Sequence, residues 1–170
     1  MISTNMQDAL NEQLNFELYS SYVYFSMAAY LESIDLPGAA NWMMIQTQEE
    51  MVHVEKFYRY INERGGRVLL KELKGPSTEW DSPVAVFQEA LEHEQAVTAR
   101  VNKLVDLSLK ESDHATNSFL QWFVDEQVEE EASAKAVVQQ MKRVGDGQGL
   151  FFLDRELGSR VFTPPPATDA

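Results

Sequence analysis

Inward-facing positions recur at three- and four-residue intervals through four long stretches of the chain, the rhythm that keeps one face of an α-helix against a core. The first stretch runs from Thr4 to Leu31 with Met6, Leu10, Gln13, Glu17, Ser20, Tyr24, Met27 and Leu31 on one stripe. Asp35-Leu-Pro-Gly38 breaks it, and Pro37 is placed to open a second helix. That helix turns Met43, Gln46, Glu50, His53, Phe57 and Tyr60 inward and stops at Arg64-Gly65-Gly66, where glycine suits the left-handed C-terminal turn. Ser82 and Pro83 supply an N-cap and a first-turn proline for a third helix, whose stripe is Val84, Phe87, Leu91, Glu94, Thr98, Val101, Val105 and Ser108. A fourth starts near Asp113 and carries Thr116, Leu120, Phe123, Gln127, Glu130, Ala134, Val137, Met141 and Val144.

The connections decide how these helices are arranged. Short links join the first helix to the second and the third to the fourth, which forces antiparallel neighbours. Residues 66 to 82 form a much longer link. Extended at about 3.3 Å per residue it reaches roughly 56 Å, more than the roughly 42 Å of a helix of about 28 residues, so the third helix can begin at the far end of the bundle. The prediction is an all-α protein: a four-helix bundle over residues 1–145 with a long crossover between the second and third helices. A short fifth helix, Leu150 to Leu157 within residues 146–160, belongs to the same domain. Its apolar side is too small to make a core alone, so it should pack on something else, for example another subunit. Residues 161–170 have no periodicity and are expected to form a disordered tail.

Composition then narrows the chemistry. Against 27 Asp and Glu the 170 residues carry 14 Lys and Arg, a formal net charge of −13. An electrostatic grip on nucleic-acid phosphates or anionic lipid is therefore not expected, and cations are the natural partners. The absence of cysteine removes disulfides, thiolate zinc sites, iron–sulfur clusters and thiol nucleophiles, leaving His and carboxylates as the strong ligands. The opening residues lack the basic and apolar regions of a signal peptide, and no stretch reaches the length of a membrane span, so a cytoplasmic protein is expected.

What carries information is where carboxylates interrupt the apolar stripes. Glu17 does so on the first helix, Glu50 with His53 on the second, Glu94 on the third, and Gln127 with Glu130 on the fourth. Each lies within about three residues, roughly 4.5 Å, of the middle of its helix, so the bundle brings them to one level. A single inward Glu is usually a misjudged helical phase or a satisfied core polar group. Four at one depth are a cluster that must be protonated or neutralised by cations, and two divalent metals would neutralise four carboxylates. Glu50-Met51-Val52-His53 is a Glu-x-x-His, weak alone, but with a Glu from each of the first and third helices it matches di-iron carboxylate bundles. Such ligands suit iron and manganese, with zinc as a competitor.

Over nearly its whole length the chain resembles non-haem bacterial ferritins. The matching stretches are residues 10–21 around Glu17, Gln48-Glu-Glu-Met-Val-His53, residues 119–131 around Gln127 and Glu130, and residues 149–157. The resemblance implies a cytoplasmic ferroxidase that oxidises Fe(II) with O2 or H2O2 and stores ferric mineral in a homo-oligomeric shell of twenty-four subunits. It places one iron between Glu17, Glu50 and His53 and a second among Glu50, Glu94 and Glu130, with Glu50 bridging and Gln127 close by. It also implies a third iron position at Glu49, Glu126, Glu129 and Glu130; without the resemblance, Glu49, Glu126 and Glu129 read as a solvated acidic flank. Tyr24, on the stripe seven residues after Glu17, is implied as a redox neighbour, with Trp122 a second electron source; the plain reading of Tyr24 is a core tyrosine with a satisfied hydroxyl. His93 and His114 fall off the stripes and are expected at the surface.

Two features separate the chain from neighbouring families. Haem-containing bacterioferritins carry a second Glu-x-x-His on the fourth helix, where this chain reads Gln127-Val-Glu-Glu130. Met51 stands at the position of their haem ligand but is weak support for haem, and no haem is expected. Asn117 and Leu120 stand where many animal ferritins line a three-fold channel with acids. Two other classes are weighed beside the cage: a free-standing di-iron oxidase or peroxidase of rubrerythrin type, often joined to a cysteine-rich domain, whereas this sequence contains no cysteine, and a metal-free helical interaction protein, disfavoured by the buried charge.

Overall fold

In the computed structural model, which describes residues 1–145 and 147–164, the described residues form five helices and no strand. They are α1 (Thr4–Ser33), α2 (Pro37–Glu63), α3 (Pro83–Lys110), α4 (His114–Val144) and α5 (Gln148–Leu157). Asp146 and residues 165–170, most of the expected tail, lie outside the described residues. The boundaries follow local chemistry. Ser3 caps α1 by accepting from the Met6 N–H at 3.0 Å, Ser82 caps α3 from Ala85 at 3.2 Å ahead of Pro83, and Asp113 caps α4 from Thr116 at 3.1 Å. At the end of α2, Gly65 takes φ +73° and the Gly66 N–H returns to the Ile61 carbonyl at 2.9 Å, the glycine stop anticipated from the sequence.

The crossover is strapped along α1. Asn11 donates to the Arg67 carbonyl and accepts from the Leu69 N–H, and Asn15 repeats the pattern with Leu69 and Lys71, all at 2.7–2.9 Å. Further along, Ser26 donates to the Ser77 carbonyl and Tyr30 to that of Trp80, each at 2.6 Å. The link thus climbs from the first turns of α1 to its last turns and delivers α3 at the opposite end from where α2 stopped. Helix α3 therefore runs antiparallel to α1 and α4 returns beside it, leaving the parallel pairs α1/α4 and α2/α3 on the diagonals.

Two apolar cores fill the bundle. One, nearer the α1–α2 turn, is built on Tyr24, Met27, Leu31, Met43, Phe87 and Met141; the other, nearer the α3–α4 turn, on Leu10, Leu14, Phe57, Val101, Leu120 and Phe123. Between them lies a polar belt. The expected stripes of α1 and α4 are buried, apart from a half-buried Val144, and so is that of α2, except that Ile61 is buried and Tyr60 half-buried. On α3 the expectation needs correction. Phe87, Glu94, Val101 and Ser108 face inward, but Val86, Ala90, Val97 and Leu104 are buried, while Val84, Leu91, Thr98 and Val105 are half-buried. Residues without charge flank the central line on both sides, so which flank meets the core depends on where α1 and α4 sit. Leu120, on the expected inward stripe of α4, is fully buried in the second core.

Helix α5 first packs on its own bundle. Leu153 and Leu157 join the core near the α1–α2 turn, whereas Phe151 and Phe152 face outward, leaving only part of its apolar side for another subunit. Asp154 accepts from the Ala39 N–H at 2.8 Å, and a Cβ on Gly38 would lie 1.7 Å from the Asp154 carbonyl oxygen. Only glycine permits this approach. Gly38→Ala should displace α5 and cost about 1–3 kcal/mol, lowering the melting temperature and raising amide exchange over α5; unchanged exchange there would refute the contact.

Candidate metal centre

The belt is made by side chains that share the stripes of the apolar residues above and below them, so helix periodicity alone drives them inward. Glu17, Glu50, His53, Glu94, Gln127 and Glu130 are all buried, with Gln13, Gln46 and Tyr24 among them. Among the described residues no Lys or Arg is buried, so the nearest compensation inside the bundle is one imidazole. Burial, with repulsion from Glu50, pushes the Glu17 carboxyl up to about 8. Burial, with repulsion from Glu94 and Glu130, drives Glu50 well above the carboxylate range, and burial and Glu130 raise Glu94 to about 7.

Three of the four carboxylates are held by neutral donors. Gln13 donates to Glu17 at 2.8 Å, Gln46 to Glu130 at 2.8 Å and Gln127 to Glu94 at 3.0 Å. The Tyr24 hydroxyl donates to the other oxygen of Glu94; burial and the surrounding carboxylates hold this phenol well above its ordinary range, so it stays protonated. His53 Nδ1 lies 3.2 Å from Glu50 Oε2. Glu17 Oε2 and Glu50 Oε1 are buried without a hydrogen-bond partner in the protein, as are the amide oxygens of Gln46 and Gln127. Orphaned carboxylate oxygens in a core call for a cation, and carboxylate with imidazole suits iron or manganese.

The donor atoms of Glu17, Glu50 and His53 lie within 4.8 Å of one another, as the first ligand set requires. Glu50, Glu94 and Glu130 are close enough for mutual repulsion, although Glu94 is occupied by Tyr24 and Gln127. A second close group joins His53, Glu126 and Glu130. Of the other residues implied for a third position, Glu49 is half-buried and paired with Arg160 at 2.7 Å, and Glu129 is exposed. Burial raises Glu49 to about 7 against the pull of Arg160, and burial also raises Glu126. Trp122 meets His53 edge-on at 5.5 Å, and Met51 lies on the exposed side of α2.

His93, expected at the surface, is half-buried. Its ring stacks on Phe16 at 5.2 Å and meets Tyr24 edge-on at 5.8 Å, its Nε2 lies 2.7 Å from the Ser20 hydroxyl, and burial lowers its pKa to about 4. It therefore braces Tyr24 as a neutral ring. His114 is exposed, as expected. The supporting roles of Gln13 and Gln46 were missed from sequence, although each sits four residues before a ligand on the same stripe. Arg160 gave no sequence signal.

A family model described as a ferritin-like domain matches residues 7–144. A bacterial non-heme ferritin of Bacteroides fragilis is 45% identical over 160 residues, covering 94% of this chain and 100% of the relative. Another, from Staphylococcus saprophyticus, is 42% identical over 163 residues, with 95% and 98% covered. A novel open pore ferritin from the archaeon Archaeoglobus fulgidus superposes with a TM-score of 0.93 at 49% identity, covering 95% and 99%. A closed form engineered from the Archaeoglobus fulgidus ferritin gives 0.94 at 51%, covering 96% and 100%.

The raised carboxyls set a pH dependence. In protein stripped of metal, Glu17 is protonated in the folded state up to about pH 8 but ionises near 4.5 when unfolded, so its contribution is intact below about 4.5 and lost as pH rises to about 8. For this fully buried group the loss is on the order of a few kcal/mol. Thermal melts should therefore fall across this window, Glu17→Gln should flatten the fall, and saturating Zn2+ should oppose it. An identical pH slope in Glu17→Gln would refute the burial effect.

Proposed function

The chain belongs to the ferritin family, and from that premise we propose that it is a ferroxidase that oxidises Fe(II) with O2 or H2O2 at the carboxylate belt and stores the ferric product as mineral in a cytoplasmic shell of twenty-four subunits. The observation that carries this reading is the cluster of four buried carboxylates, two of which, Glu17 and Glu50, have an orphaned oxygen, with no buried Lys or Arg among the described residues.

One substrate Fe(II) is bound by Glu17, Glu50 and His53, and a second by Glu50, Glu94 and Glu130, with Gln127 beside it. Two divalent ions balance four carboxylates, and the protons those carboxyls hold leave as the ions enter. Each Fe(II) gives up one electron. Dioxygen accepts two electrons and two protons to become hydrogen peroxide; peroxide as oxidant accepts the same number and becomes two waters. The product ions carry one more positive charge each inside an anionic, low-dielectric site, so the site favours oxidation over mere binding. Tyr24, bonded to Glu94 and braced by His93, is the redox neighbour in this reading: an electron it lends stands in for one from iron and is returned to it by a further Fe(II), so the two-electron balance is unchanged. A third iron binds at the flank that Glu126 and Glu130 form with Glu49 and Glu129.

The shell reading has its own support on the surface. Tyr22 and Phe25 on α1 with Leu70 on the crossover, and Phe151 with Phe152 on α5, are apolar side chains left outside the bundle. They offer two faces for neighbouring copies. The rubrerythrin-type alternative is not favoured, because the relatives that cover this chain nearly end to end are ferritins.

Glu50→Ala removes the bridging carboxylate and should slow rapid Fe(II) oxidation by about a hundredfold or more while leaving a folded particle, read as ferric absorbance after mixing. Oxidation at the wild-type rate would refute the assignment. Size-exclusion chromatography should show elution near half a megadalton, from ~24 copies of the 19.4 kDa chain. A small oligomer at every concentration would rule out the cage.

A further inference from the structure

Arg160 lies beyond the end of α5, yet its side chain reaches the middle of α2. Its guanidinium donates to Glu49 Oε2 at 2.7 Å and to the Trp42 carbonyl at 3.3 Å, and lies 4.5 Å over the Trp42 ring. The Asn41 side chain donates to the Arg160 carbonyl at 3.0 Å, fixing the backbone as well. Glu49 is next in sequence to the bridging Glu50, and the flank donors His53, Glu126 and Glu130 form the second close group. The guanidinium that pairs with Glu49 is thus delivered by the segment that follows α5, while Lys56 acts on Glu126 from a greater distance.

We propose that Arg160 is the resident counter-charge of Glu49, and that a metal ion using Glu49 at the flank must displace this guanidinium, so that flank loading and docking of the C-terminal segment oppose each other. The inference rests on the reading of the flank as a third metal position. A guanidinium keeps its charge throughout the working pH range, so it cannot be removed by titration and has to move. Two cations on one half-buried carboxylate repel with little solvent between them. Because coupling is reciprocal, whatever weakens the Arg160 contact strengthens metal at Glu49, and metal at Glu49 loosens the segment around residue 160. No member of the Glu17, Glu50, His53 set hydrogen-bonds Arg160, and His53, which belongs to both close groups, is the link through which the centre feels this exchange.

Calorimetric titration of the assembled, metal-stripped protein with Co2+ tests this without any turnover. Wild type should show two tight ions and one weak ion per chain, and Glu126→Ala should lose the weak one. Arg160→Gln should tighten the weak ion about tenfold or more and move the tight pair far less, while Arg160→Lys, which keeps the charge, should stay nearer wild type. Amide exchange over residues 158–164 should rise in wild type as the weak ion fills. A weak phase lost in Glu126→Ala but unchanged or weakened in Arg160→Gln overturns the role of Arg160 and spares the flank site. No third ion in any variant overturns both. If Arg160→Gln does not assemble, wild-type exchange decides: no rise on filling overturns the coupling.

Discussion

Everything in this bundle turns on the electrostatic cost of putting four carboxylates at one level of an apolar core. Each loses hydration and repels the others, and among the described residues one imidazole, His53, is buried with them. The apolar cores on either side make that arrangement tolerable, since they hold the helices together above and below the belt. The belt is where stability is given up for a site that protons or cations must complete. A core optimised for stability alone would have placed Leu or Met at these positions.

Neutral amides manage the belt from within. Gln13, Gln46 and Gln127 each donate to a carboxylate, which holds its orientation without cancelling its charge. A Lys or Arg in each of these three places would have cancelled most of the carboxylate charge internally and left little for a metal to do. Strong cations stay at the edge of the belt: Arg160 pairs with Glu49 on the flank, and Arg100 bonds the amide oxygen of Gln13 rather than a carboxylate.

The crossover is the other condition for the site. Level matching requires that α3 start at the end where α1 stops, and the strap along α1 secures this through Asn11 and Asn15, whose amides pair with the link much as a neighbouring strand would. Each helix then has antiparallel neighbours on both sides. Their midpoints coincide, and so do Glu17, Glu50, Glu94 and Glu130.

The sequence by itself determined the number of helices, the N-cap of α3 and the glycine stop of α2, the crossover and the four inward carboxylates with His53, because those depend on local periodicity and on lengths that a chain cannot evade. It also settled the inward faces of α1 and α4, where one stripe is unambiguous. The tertiary structure alone decided which flank of α3 meets the core, since Ala90 and Leu91, Val97 and Thr98, and Leu104 and Val105 all fit one helix and differ only in which neighbour they meet. It alone placed His93 against Tyr24 and Arg160 on Glu49. Those contacts join residues distant in sequence or on adjoining helical faces, and no periodic pattern encodes a meeting that depends on how the helices are rotated against one another.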